Sequence, residues 1–254
     1  MTTLLLDCGN TRIKWQLRAP DGIRAAGVVE LATAEAADAL ALLLDSWAVD
    51  AVAISSVRNK AATAEMAEGL KSRFSCRVFV AEVSACACGI ENGYHQPQRL
   101  GVDRWMAAIG AYKKLSSAVV IVDAGSAITV DYVDARGVFR GGYIAPGLKL
   151  LCGALQLGTE DVHFSTDYDN KEMSAGLSTD EAVARGLMHM AMGYIRSAQD
   201  EIARQNKGDS VPVIMTGGDA LSLLAVMQEE HDYIESLVLD GLNWVFEEEV
   251  VDEL

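Results

Sequence analysis

Aspartates that close apolar runs and open glycine-bearing turns are the residues here with the clearest chemical potential. Asp7-Cys8-Gly9-Asn10-Thr11 follows the apolar run Leu4-Leu5-Leu6, and Arg12-Ile13-Lys14 leads away from it. A glycine in such a turn lets a ligand approach the backbone, and the neighbouring N–H groups form a concave donor set suited to phosphate oxygens. The Thr11 hydroxyl adds a donor and Lys14 a point charge. A carboxylate at the strand end, Asp7, suits Mg2+, which takes a few carboxylates, waters and phosphate oxygens. One such turn is also what Gly, Asn and Asp build in any hairpin. A second copy shifts the balance: Ala118–Val122 ends at Asp123, and Ala124-Gly125-Ser126-Ala127 follows, so carboxylate, glycine and hydroxyl recur in the same order.

Two further segments could complete a site. Thr216-Gly217-Gly218-Asp219 lies between an expected strand, Val211–Met215, and an expected helix, Ala220–Gln228. Bare backbone before a helix N-terminus suits the flat face or the phosphates of a nucleotide, and a plain strand-to-helix turn has the same composition. Gly101-Val102-Asp103-Arg104 opens a helix expected over Val102–Lys114. Phosphoryl transfer needs a group that orients or deprotonates the attacking hydroxyl, and Asp103 can be that group. A carboxylate at this position also stabilises a helix start, so both readings stand. Arg104 can bind a substrate carboxylate or form a surface ion pair. Tyr94 and His95 lie just upstream in the loop Gly93–Pro97, where nothing pairs His95 with a nucleophile.

The elements that position these residues are α/β and duplicated. Ile13, Trp15 and Leu17 alternate with polar residues, Pro20-Asp21-Gly22 marks a turn, and Ile23–Leu31 reads as a third strand. Ile128, Val130 and Tyr132 repeat that alternation, with a turn at Asp134–Gly137 and a strand over Val138–Ile144. Helices are expected over Ala34–Trp47, Lys60–Arg73, Thr179–Arg204 and Leu242–Val251, with strands over Ala51–Val57 and Val78–Val83. Strand triplets followed by alternating helices and strands indicate two domains with mixed sheets, 1–115 and 116–254. Met188, Met190 and Met192 read as helix packing, and Glu247-Glu248-Glu249 as a solvated helix face.

Composition limits the functions. The chain has 254 residues, half of them hydrophobic, and 36 acids against 21 bases give a net charge of −15. Such a body repels phosphate backbones at long range, so no nucleic-acid partner is expected. Met1–Leu6 has no basic flank, and no apolar run approaches a membrane span. The five cysteines are odd in number and scattered; Cys86-Ala87-Cys88 lacks the partners of a zinc site. A cytoplasmic protein without membrane association is the expectation.

Together, DCGNTRIK (Asp7–Lys14), GVDR (Gly101–Arg104), DAGSAIT (Asp123–Thr129), GGYIAPGL (Gly141–Leu148) and TGGD (Thr216–Asp219) resemble the superfamily of acetate and sugar kinases, actin and chaperone ATPases. Within it the chain is most similar to the type III pantothenate kinases. The DxGNT and GxDR segments together are specific, and the order spans almost the whole chain. One departure is the Gly-Ser-Ala of the second loop, where many members have Gly-Thr-Ala or Gly-Thr-Ser; a hydroxyl is kept at Ser126.

The resemblance implies two actin-like (ribonuclease H-like) domains and ATP-dependent phosphorylation of pantothenate, the first step of coenzyme A synthesis. It implies that Asp7, Cys8, Gly9, Asn10, Thr11, Arg12, Ile13 and Lys14 form the first phosphate loop, with Mg2+ near Asp7 through water or phosphate. Ser126 would serve the second phosphate, Asp123 a monovalent cation (K+ or NH4+), and Gly217 and Gly218 the adenosine. Tyr94, Gly101, Val102, Asp103 and Arg104 would line the pantothenate pocket, with Asp103 as general base. Thr179 would reach a pantothenate site across a homodimer interface. Two other functions suit the same fold: a phosphatase or polyphosphatase, with water replacing the alcohol, and a nucleotide-sensing regulator without turnover. Asp7, Asp103 and Asp123 favour chemistry, because a sensor needs no base.

Overall fold

The computed structural model describes residues 1–30, 47–158, 172–227, 229 and 231–252. The helix expected over Ala34–Trp47 falls almost wholly outside the described residues. The chain divides into two compact units, Met1–Lys114 with Ser236–Leu254, and Leu115–Glu235. The terminal segment thus groups with the first unit, whereas the sequence reading assigned it to the second domain.

In the first unit a five-stranded sheet runs β3-β2-β1-β4-β5, built from β1 (Thr3–Cys8), β2 (Arg12–Ala19), β3 (Gly22–Glu30), β4 (Ala51–Ser56) and β5 (Arg77–Val80). The β1–β2–β3 meander is antiparallel, while β4 and β5 are parallel to β1. Alternation sends Leu4, Leu6, Cys8, Ile13, Trp15, Val52 and Ile54 to one face, where Met66 and Leu70 of α1 (Lys60–Phe74) complete a core. Asn59 starts that helix by accepting the Ala62 N–H at 2.9 Å. A hairpin of β6 (Cys86–Ala87) and β7 (Ile90–Asn92) then leads to α2, Val102–Leu115.

The last helix of this unit, Leu237–Asp252, begins five residues before the expected start, because Leu237, Val238 and Leu239 are all buried. Its Phe246 meets Phe79 of β5 with ring centroids 5.8 Å apart, and its Asp240 pairs with Arg18 of β2. Gly241 crosses α2 at Gly110 so closely that a Cβ on Gly110 would lie 2.5 Å from the Leu237 carbonyl. These contacts tie the segment to the first unit.

In the second unit the strands run β12-β11-β8-β9-β10, from β8 (Val119–Ala124), β9 (Ala127–Val133), β10 (Val138–Pro146), β11 (Val213–Thr216) and β12 (Asp232–Tyr233). The β8–β9–β10 meander repeats that of the first unit, and β11 lies parallel to β8 as β4 lies parallel to β1. Val120, Val122, Ile128 and Val130 pack on Leu187, Met188, Ala191, Met192 and Ile195. The last five belong to the long helix Thr179–Gln205. Met188 and Met192 are therefore packing residues, while Met190 is 58% exposed. A helix over Leu148–Gly158 was not foreseen, since no Ser, Thr, Asp or Asn precedes it. The helix at Ala220 ends at Leu224, short of the expected Gln228.

Candidate active site

In the first unit β1 and β4 run parallel and finish together, Asp7 beside Ser55 and Cys8 beside Ser56. The carboxyl ends of parallel strands are where open α/β sheets take ligands. The Gly9 N–H donates to the Arg12 carbonyl at 3.0 Å and closes a three-residue turn, with Asn10 and Thr11 exposed at its tip. Lys14 lies directly opposite Asp7 across the hairpin. The segment does not present all its side chains to a ligand. Ile13 is fully buried, and Cys8 turns inward, its thiol 3.5 Å from the Met66 sulfur. Burial, and then the Asp7 charge, push the Cys8 thiol up to about 12, so it stays neutral. Cys8 and Ile13 can serve phosphate only through their backbone.

Around Asp103 the chain is held from two sides. Asn92, buried at the end of the β6–β7 hairpin, donates from Nδ2 to the Ser84 carbonyl at 3.2 Å. Its Oδ1 accepts the Tyr94 N–H at 3.1 Å. The Arg104 guanidinium donates to the Tyr94 hydroxyl at 2.8 Å. Arg104 is only 7% exposed, which removes the surface-ion-pair reading. Asp103 Oδ1 accepts the Arg104 N–H at 2.8 Å and leans back over Gly101, where a Cβ would lie 2.6 Å away. Glycine is what makes room for that carboxylate. Burial raises the Asp103 carboxyl above its ordinary range, partly opposed by the N–H and charge of Arg104. A carboxylate shifted upward is a better proton acceptor near neutral pH.

In the second unit the Gly125 N–H donates to the Ala127 carbonyl at 2.9 Å, closing a turn of two residues with Ser126 exposed. The turn is one residue shorter than its counterpart but keeps the register, and Thr129 stands opposite Asp123 where Lys14 stands opposite Asp7. Gly217, at φ 97°, lies against it: a Cβ there would strike the Ala124 carbonyl and come within 2.5 Å of Asp123 Oδ1. The Asp219 N–H donates to the same Ala124 carbonyl at 2.9 Å. Gly147, part of the GGYIAPGL segment but without a role assigned from sequence, donates its N–H to the Ser126 carbonyl at 3.0 Å. A Cβ on Gly147 would collide with the Gly125 carbonyl. Three segments thus meet around the Ala124–Ser126 backbone beside Asp123. The contacts that join them include neither Gly218, exposed beside Gly217, nor Thr179, exposed in the first turn of its helix. Ser178 caps that helix by accepting the Glu181 N–H, and the Glu181 carboxylate accepts the Leu177 N–H at 2.8 Å.

Among the described residues no three His, Cys, Asp or Glu side chains gather in one place. A cation at either aspartate would therefore share phosphate and water ligands, as Mg2+ does at nucleotide sites. Two buried hydroxyls without partners among the described residues adjoin these positions, Ser55 Oγ beside Asp7 and Thr129 Oγ1 opposite Asp123. Each turn thus offers a carboxylate and a hydroxyl oxygen, hard donors that would suit a hydrated cation held together with phosphate.

The α/β fold of the chain is that of the ROK sugar kinases. A ROK hexokinase from Thermus thermophilus superposes at TM-score 0.51 with 14% identity, covering 99% of this chain and 100% of that one. A conserved Campylobacter jejuni protein described as a Baf family transcriptional activator gives TM-score 0.61 at 20% identity, over 98% and 99%. Sequence narrows the class. The chain belongs to the type III pantothenate kinase family, whose model matches residues 3–201. It is 38% identical to the type III pantothenate kinase of Azotobacter vinelandii over 93% of this chain and 95% of that one. It is 36% identical to that of Alcanivorax borkumensis over 95% and 97%.

Proposed function

We propose that the protein transfers the γ-phosphoryl group of ATP to the primary hydroxyl of pantothenate, giving 4'-phosphopantothenate and ADP in the first step of coenzyme A synthesis. The observation that carries the reading, within the family, is the corner at Asp103 and Arg104. There a carboxylate made more basic by burial adjoins a buried guanidinium braced on Tyr94.

Each residue then has a task. Arg104 takes the carboxylate of pantothenate, and Tyr94 and Gly101–Val102 wall the pocket. Asp103 accepts the proton of the substrate hydroxyl as its oxygen bonds to the γ-phosphorus. The bond to the bridging β–γ oxygen breaks and ADP departs. The N–H groups of the Gly9–Thr11 turn and the Lys14 ammonium hold the phosphates, Ser126 meets the second phosphate, and Gly217 and Gly218 lie against the adenosine. When bound, Mg2+ neutralises phosphate charge near Asp7, and a monovalent cation does so near Asp123.

A homodimer is part of the reading. Ala182, Gly186, Met190 and Gly193 form an exposed stripe along the helix Thr179–Gln205, beside the exposed Thr179 that would reach the partner's pantothenate. Sedimentation should give the mass of two chains. A cytoplasmic setting suits five cysteines that are all unpaired.

The deciding experiment is a coupled assay for ADP release with and without pantothenate. Release that requires pantothenate supports the kinase. Release without it indicates a hydrolase, and none with either indicates a regulator.

A further inference from the structure

The residue in question is Ser55, at the carboxyl end of β4. On β4, Val52 and Ile54 enter the core shared with Leu4, Leu6 and Cys8. Ala51, Ala53 and Ser55 leave the opposite face, in register with Thr3, Leu5 and Asp7 of the parallel β1. Ala51 and Ala53 are apolar and buried, so the strand carries methyl groups along this face until it reaches Asp7, where one oxygen is added. Ser55 is fully buried, and its Oγ has no hydrogen-bond partner among the described residues. A buried hydroxyl left unpaired is destabilising, whereas an alanine there would cost nothing.

Ser56, its neighbour, shows the structural alternative. Its hydroxyl is 2.8 Å from that of Thr63 and accepts the Arg58 N–H at 3.3 Å. One serine binds its own fold, and the other stands beside the Asp7 carboxylate with its hydrogen-bonding capacity unspent.

We propose that Ser55 is a further binding residue of the first phosphate turn, its hydroxyl hydrogen-bonding an oxygen of the hydrated Mg2+–triphosphate received beside Asp7. The inference rests on the phosphate-binding role proposed above for Asp7 and Lys14, and it adds a donor from a different strand.

The test compares Ser55→Ala with Ser56→Ala and Asp7→Asn. In the nucleotide-free protein, Ser55→Ala should leave the thermal midpoint unchanged or higher, because it removes an unpaired polar atom. Ser56→Ala should lower it. The stabilisation of the protein by Mg·ATP, read as a thermal shift, should shrink in Ser55→Ala and persist in Ser56→Ala. KM for Mg·ATP should rise about tenfold or more in Ser55→Ala, as expected for a hydrogen bond to a charged group, with KM for pantothenate unchanged. If Ser55→Ala destabilises the free protein as Ser56→Ala does, or leaves the Mg·ATP shift and KM intact, the inference is overturned. If Asp7→Asn also leaves both intact, the reading of the turn itself fails.

Discussion

Lys14 lies directly across the first hairpin from Asp7, whereas the matching position opposite Asp123 is Thr129. Each partner is the third residue of its return strand, Arg12-Ile13-Lys14 and Ala127-Ile128-Thr129, so the difference is one of residue type and not of turn length. The duplicated turns are therefore not equivalent: the first carries a fixed positive charge and the second a hydroxyl. Lys14→Met should raise KM for ATP about 10- to 100-fold, the loss expected for a charge-assisted phosphate contact of about 1.5–3 kcal/mol. KM for pantothenate should hold. Steady-state kinetics with each substrate varied in turn would check this, and an unchanged KM for ATP would count against the assignment.

Asp103 gives a prediction in which activity and stability part. Burial raises its carboxyl, so the folded protein holds that proton more tightly than the unfolded chain does. The associated stability is present at low pH and is lost as pH rises through the folded-state value; at neutral pH the buried charge costs stability. Asp103→Asn should therefore lower kcat by about 10²–10⁴, the usual range for general-base help. Its melting temperature at pH 7 should equal or exceed that of the parent, and the gap should close on acidification. The parent's acid limb of kcat should lie above the ordinary carboxylate range and vanish in the variant's residual rate. A helix-start residue without a catalytic role would leave turnover within a few-fold, since Asn serves helix starts about as well as Asp.

Cations supply a third expectation. Since neither aspartate is surrounded by further His, Cys, Asp or Glu ligands among the described residues, metal affinity should depend on nucleotide. Mg2+ alone should barely shift the melting temperature, and Mg2+ with ATP should shift it clearly. Turnover should vanish with chelator and drop when sodium replaces potassium. A strong shift by Mg2+ without nucleotide would contradict this.

Glycines at backbone contacts form the fourth test. Gly241 presses on the Met106 carbonyl of α2, and Gly217 on the Ala124 carbonyl beside Asp123. Gly241→Ala pushes a methyl into the helix that carries Asp103, an overpacking worth about 1–3 kcal/mol or more. It should lower the melting temperature by at least several degrees. Gly217→Ala adds strain at φ 97° and should weaken ATP binding as well as stability. Melting curves and KM for ATP separate the two effects.

The two hairpins, the GVDR helix start and the TGGD turn were legible because their signals are local: alternation, glycine at turns, an aspartate closing an apolar run. What escaped depends on contacts far apart in sequence. Gly147 matters only because it meets Ser126, and Ser55 only because β4 lies beside β1. The last helix carries no sign of which unit it joins until Phe246 meets Phe79. Glu247, Glu248 and Glu249 are all exposed, as their charge run suggests, but the run carries no sign that Glu248 also accepts a hydrogen bond from a distant hairpin.

Glu248 is engaged with Cys88, and that contact supports a last prediction. Cys88 closes the tight β6–β7 hairpin at φ 52°, unusual for a residue with a side chain. The Glu248 carboxylate accepts its N–H at 2.8 Å and lies 3.5 Å from its sulfur. Burial first, and then the charge and hydrogen bond of Glu248, push the Cys88 thiol up to about 12, with Lys113 acting weakly in the opposite sense. The reactive species is the thiolate, so Cys88 should resist iodoacetamide at pH 8 while the exposed Cys86 is alkylated. Glu248→Gln keeps an acceptor for the N–H but removes the charge. The Cys88 thiol should fall part of the way toward its ordinary value, leaving the burial contribution in place, and alkylation at pH 9 to 10 should quicken several-fold. Peptide mass mapping after timed alkylation resolves the two cysteines. Because the hairpin leads through Asn92 to Tyr94, the same variant should raise KM for pantothenate modestly and leave KM for ATP alone. Equal labelling of Cys88 in parent and variant, with both KM values unchanged, would show that the exposed Glu248 has no hold on the hairpin.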